Sequence, residues 1–79
     1  MLTVRINETP VKLTEDATVV DAVAQTTGRS LNADGTPADG GRLGVAVAIN
    51  AAVVPRSRWS ATTLTGGEDI EIVTAVQGG

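Results

Sequence analysis

Two short runs, Leu2-Thr3-Val4-Arg5-Ile6 and Val11-Lys12-Leu13, alternate apolar and polar side chains on either side of Asn7-Glu8-Thr9-Pro10. A period of two places every apolar side chain of a strand on one face, and Asn and Pro both disfavour a continued strand. Residues 2–14 therefore read as a β-hairpin, with Leu2, Val4, Ile6, Val11 and Leu13 as core candidates. The material that can complete that core is restricted. The chain has 79 residues, no cysteine, no Phe or Tyr, and Trp59 as its single aromatic. That is one domain near the lower end of what folds unaided, without disulfides or Cys-ligated zinc to staple it. Aliphatic packing has to supply the stability.

A helix is expected next. Thr18 can cap it, with Asp21 in the position of the capping-box acid. Val19, Val20, Val23 and Ala24 then share one face at helical spacing, and Gly28 stands where a left-handed glycine closes a helix. Valines lower helix propensity, so burial of that face must hold the segment.

Residues 29–42 change character: glycines, Pro37, Asp34, Asp39 and Asn32 leave Leu31 as the only large apolar side chain. The segment reads as a long, mobile surface loop. It is either a tolerated insertion, since doubling a loop costs only about 0.6 kcal/mol, or a lid or binding loop.

Residues 44–50 are the most continuous apolar stretch and suit a central strand with alanines on its tighter face. Asn50-Ala51-Ala52 reads as a turn into a short strand at Val53-Val54, which Pro55 ends. Residues 55–59 read as a single helical turn that places Trp59 over the core rim, and residues 61–64 as a short extended piece. After a turn at residues 65–69, residues 70–76 form the last strand, and residues 77–79 are expected as a flexible tail. One helix covering one face of a mixed four- to five-stranded sheet is an α+β, ubiquitin-like β-grasp arrangement, here a single domain over residues 1–79. The crossover from Leu13 to Val45 is expected to bring the third strand beside the first.

Composition narrows the chemistry. A formal net charge of −3 with six scattered basic residues provides no phosphate-binding patch, so no nucleic-acid partner is expected. No run reaches the roughly 20 apolar residues of a membrane span, and no targeting segment is evident, so the expected location is the cytoplasm. With no His and no Cys, the commonest general acid/base, metal ligand and thiolate are missing. Ser30, Ser57 and Ser60 have no histidine to activate them. Glu68, Asp69 and Glu71 read as solvated charge, not as a metal site.

What remains is the end of the chain. An α-carboxyl titrates near pH ~3.5 and is anionic at neutrality, able to attack the α-phosphate of a nucleotide. Gly78 and Gly79 have no Cβ, which lets such a carboxylate enter a narrow site. Val76 to Gly79 extended reach about 13 Å. Terminal glycines are also commonly just frayed ends, so their meaning depends on their context.

That context includes Ile49-Asn50, Val54-Pro55-Arg56, Trp59 three residues later, Gly67-Glu68-Asp69 and Gly78-Gly79. In these elements the sequence resembles the ThiS-type sulfur carriers of thiamine (thiazole) biosynthesis, over roughly residues 1–27 and 43–79. Residues 29–42 depart from the family pattern by being longer and more polar. The resemblance implies that Gly79 is adenylated and then converted to a thiocarboxylate, with Gln77 and Gly78 as the stalk. It implies three partners: an adenylating enzyme of the ubiquitin-activating type that uses ATP-Mg, a sulfurtransferase relay, and thiazole synthase. The chain itself is expected to be a carrier with no bound cofactor, no metal and no catalytic residue of its own. Val73 and Ala75, on the outward face of the last strand, and Val76 near the tail are expected at the partner interface. Arg56 is a further interface candidate, or it pairs within its own chain. The alternatives are a molybdopterin-synthase small subunit, a ubiquitin-like modifier, and a β-grasp interaction domain that carries nothing.

Overall fold

The computed structural model describes residues 1–40 and 44–74, Thr74 by its backbone alone. Strands β1 (Leu2–Ile6) and β2 (Thr9–Leu13) form the expected hairpin, followed by helix α1 (Val19–Thr27), β3 (Val45–Ile49), β4 (Ala52–Val54), a 3-10 helix (Arg56–Ala61) and β5 (Asp69–Thr74). The five strands make one mixed sheet in the order β2-β1-β5-β3-β4.

Both hairpins turn on two residues with positive φ, Asn7-Glu8 (51° and 71°) and Asn50-Ala51 (50° and 71°). This is the primed geometry whose twist matches the flanking strands, and Asn is well suited to its first position. The first turn is tighter than the sequence implied, for Thr9 and Pro10 belong to β2 and pair with Ile6 and Arg5. Ile6 and Thr9 close the two-residue turn as a hydrogen-bonded pair, so the Arg5–Pro10 pair is a non-bonded one. Pro10 thus sits on an edge strand with no ladder bond to lose.

The expected neighbour of β3 is corrected. β5, not β1, lies beside β3, pairing antiparallel from Val45–Thr74 to Ile49–Ile70, and its other edge runs parallel to β1 at Arg5–Asp69 and Ile6–Ile70. The crossover therefore leaves a slot one strand wide. β5 suits that slot because Ile70 and Ile72 face inward and are buried, and its start at Asp69 brings it level with β1.

Helix α1 has the predicted caps. The Asp21 carboxylate accepts from the Thr18 N–H at 2.8 Å, and Gly28 adopts a left-handed φ of 71° while its N–H bonds to the Ala24 carbonyl. The buried stripe is Val19, Ala22 and Val23, with Val20 only partly covered. Ala22 takes the place expected of Ala24. The stripe is centred by how the helix lies on the sheet, which spacing alone leaves open by one position. Full burial of a valine such as Val19, Val23 or Val4 contributes about 1.5–3 kcal/mol.

Trp59 is enclosed in the core and not at its rim, 1% exposed, with its indole N–H donating to the Val54 carbonyl at 2.9 Å. Residues 62–64 run extended beside the start of α1: the Val19 N–H donates to Thr62, and the Leu64 N–H donates to Ala17.

Candidate functional site

Of the expected site residues, Ala75, Val76, Gln77, Gly78 and Gly79 lie outside the described residues, while Val73 and Arg56 are described. Val73 points away from α1, as alternation along β5 requires, and is 61% exposed. Its cross-strand partner is Ala46, itself exposed. One strand further out, Val53 of β4 pairs with Ala48 and is 77% exposed. The outer sheet face therefore carries an apolar area made by Val73, Ala46, Ala48 and Val53. The β1 side of the same face is charged, with Arg5 and Asp69 in a 3.4 Å solvent-exposed ion pair. Sequence reading found Val73 but not Ala46 or Val53. The inward alternation of Val45, Val47 and Ile49 was the signal that puts Ala46 and Ala48 outside.

Among the described residues, one side chain supports the end of β5 from the β1 side. The β1 backbone bonds β5 through Arg5 N–H to Glu68 and Asn7 N–H to Ile70, both at 2.9 Å. The chain then turns away at Asn7. Beyond that point the Asn7 carboxamide takes over: its Nδ2 donates to the Ile72 carbonyl at 3.0 Å, and its Oδ1 accepts from the Ile72 N–H at 2.9 Å. A primary amide offers the same donor and acceptor as a peptide group, so Asn7 extends the ladder by one residue. Asn50, which opens the second hairpin turn, holds the start of the same strand: Asp69 N–H donates to its Oδ1 at 3.1 Å, and its own N–H donates to Asp69 O at 2.8 Å.

Arg56 belongs to another part of the molecule. It starts the 3-10 helix, which packs on α1, and its guanidinium carbon stands 5.3 Å from the centroid of the Trp59 ring, a cation–π distance. Against both lies Gly35. Residues 29–40, expected as a mobile loop, bond to one another: Ala38 N–H to Ser30, Asn32 N–H to Thr36, and Gly35 N–H to Asn32. Gly35 and Pro37 are buried, so this segment covers one side of Trp59. The Asp34 carboxyl is held below its ordinary pKa of 3.8 by the Thr36 hydroxyl, then by the Thr36 N–H, which approach it at 2.6 and 3.0 Å. Residues 41 and 42 of the expected loop lie outside the described residues.

Among the described residues no three His, Cys, Asp or Glu side chains come together as a metal site, and no described helix is long and apolar enough to cross a membrane.

The sequence model of the ThiS family matches residues 4–79. The chain belongs to the ThiS family. Its general role is accordingly that of a sulfur carrier in thiamine biosynthesis. ThiS-family proteins are small carriers rather than enzymes, and work with partner enzymes in that biosynthesis. Among solved structures, this ThiS-family chain is similar to the crystal structure of the thiamine biosynthesis protein (ThiS) from Geobacter metallireducens. The match has a TM-score of 0.67 at 21% identity and covers 99% of this chain and 100% of that one. At that identity the likeness speaks for the fold, the ubiquitin-like β-grasp. No curated protein sequence gives a significant match.

Proposed function

We propose that this chain carries sulfur on its C-terminal carboxylate and is the co-substrate, not the catalyst, of the reactions that load and unload it. An oxygen of the Gly79 carboxylate attacks the α-phosphate of ATP in a partner's site, and pyrophosphate leaves. The terminal sulfur of a persulfide supplied by a sulfurtransferase relay then displaces AMP from the acyl carbon, and a reducing thiol cleaves the resulting acyl disulfide, leaving a thiocarboxylate that thiazole synthase consumes. The observation that carries this reading is the family match, which runs through Gly78 and Gly79. The same match favours the thiazole pathway over a molybdopterin-synthase subunit.

The absence of His and Cys from the sequence supports placing the chemistry on partners, with ATP-Mg held by the adenylating enzyme. Val73, together with Ala75 and Val76, is assigned to docking on that enzyme, because among the described residues Val73 is the exposed apolar residue of the outer face closest in sequence to the tail. Gln77 and Gly78 form the stalk that lets the carboxylate enter. Arg56 is assigned first to its own chain, through Trp59.

The test is incubation with ATP, a cognate adenylating enzyme and a sulfur donor, followed by intact mass measurement. The expected product has one C-terminal oxygen exchanged for sulfur, and a chain lacking Gly79 yields none. Absence of that product with every cognate partner overturns the proposal.

A further inference from the structure

We infer that Asn7 is a positioning residue for the reaction of the C-terminal carboxylate, acting through the end of β5; this rests on the carrier reading above. Three observations lead to it. First, β5 overshoots β1. The parallel pairing ends at Ile6–Ile70, whereas β5 continues to Thr74. Second, among the described residues, from Ile72 onward the strand has main-chain pairing only on its β3 side, Val47–Ile72, Ala46–Val73 and Val45–Thr74. Third, among the described residues the group that engages it from the β1 side there is the Asn7 carboxamide, which satisfies both the N–H and the carbonyl of Ile72. Removing that group leaves the last three residues of β5 hinged on a single ladder, five residues from Gly79.

Adenylation needs the carboxylate in line with a phosphate, and a displacement on the order of 1 Å costs about a hundredfold in rate when alignment supplies the catalysis. A carrier whose nucleophile follows its last strand by only five residues depends on where that strand delivers the stalk. Asn7 also has φ 51°, a conformation that glycine adopts freely. The turn and the carboxamide can therefore be separated by substitution. Asn7→Gly keeps the turn and removes both side-chain bonds. Asn7→Asp keeps the turn and the acceptor but loses the donor to Ile72 O, placing a carboxylate against that carbonyl.

The experiment measures ATP–pyrophosphate exchange by the adenylating enzyme with the full-length wild type, Asn7→Gly and Asn7→Asp, at temperatures where circular dichroism shows all three folded. In parallel, amide exchange at Ile72 and Val73 and relaxation of the residues after Thr74 are followed by NMR. The expected result for Asn7→Gly is faster exchange at Ile72 and a kcat about tenfold lower, with KM for the carrier nearly unchanged because the apolar outer face is intact. Asn7→Asp should fall between it and the wild type. A merely stabilising role would lower the melting temperature and leave kcat alone. A reactive wild type with an equally reactive, folded Asn7→Gly overturns this inference only. A wild type that is never adenylated overturns the carrier reading, and this inference with it.

Discussion

Gly35 lies so close to Trp59 that a Cβ built on it would meet Cε3 of the indole at 2.9 Å, with the Arg56 Cγ at 3.1 Å. Its φ of +87° also belongs to a region that other residues avoid. A glycine read in the sequence as loop punctuation is thus the contact by which residues 29–40 close over the only aromatic side chain.

Gly35→Ala should destabilise the protein by about 2–3 kcal/mol, since it combines backbone strain with overpacking against a ring. Urea unfolding followed by the fluorescence of Trp59 measures this directly, because no other residue emits. The native emission of the variant should also shift to the red as the loop lifts. A wild-type midpoint and spectrum would contradict the packing described.

Trp59→Phe retains most of the apolar volume but removes the indole N–H that satisfies the Val54 carbonyl. Leaving a covered acceptor without its donor costs about 1–3 kcal/mol. For a chain of this length each kcal/mol lowers the melting temperature by roughly 4–8 °C. Thermal melts by circular dichroism should show that loss, and Trp59→Ala should lose more, about 3–5 kcal/mol.

Asp34 gives a pH prediction with a definite sign. Its folded-state pKa lies below the ordinary 3.8, first through the Thr36 hydroxyl. A depressed carboxyl contributes stability above its unfolded value and loses that contribution as pH falls through the folded one. The loop bonds around Thr36 should therefore persist at pH 3.8 and loosen only in more acidic solution. An NMR titration of the Asp34 carboxyl carbon should place its midpoint under 3.8. Thr36→Val should raise that midpoint only part of the way, because the Thr36 N–H still donates. A midpoint at or above 3.8 in the wild type would refute the arrangement.

Val73→Lys tests the apolar outer face. The side chain is mostly in water, so stability should change by no more than about 0.5 kcal/mol. A charge brought to an apolar contact should instead raise the KM of the adenylating enzyme for this carrier about tenfold, or ~1.4 kcal/mol, with kcat little altered. The opposite split, kcat lowered at constant KM, is reserved for Asn7→Gly, so the two variants separate docking from alignment. Unchanged kinetics in Val73→Lys would remove Val73 from the interface.

The legible part of this protein was the part encoded in local periods. Alternation over residues 2–13 settled which side chains of β1 and β2 face inward, because a strand has no other way to divide its two faces. Residues 45–49, apolar throughout, did not show that Ala46 would lie outside. Thr18, Asp21 and Gly28 marked the helix ends, since capping is satisfied within a few residues of chain. The Val54-Pro55-Arg56 element with Trp59, and the closing glycines, indicated the family by themselves. The register of contacts between distant segments was not legible. That β5 enters between β1 and β3 depends on Ile70 and Ile72 matching a slot formed by strands more than twenty residues away, and no local pattern records a neighbour. Asn7 read as a turn residue for the same reason: its partner, Ile72, is 65 positions along the chain. Gly35 read as loop because only the folded chain brings Trp59 against it. The sequence by itself determined the order of the elements, the inward faces of the first hairpin and the family. The tertiary structure alone decided that one carboxamide holds the end of the last strand and that one glycine seals the core, because both depend on hydrogen bonds and van der Waals contacts that do not exist until remote parts of the chain meet.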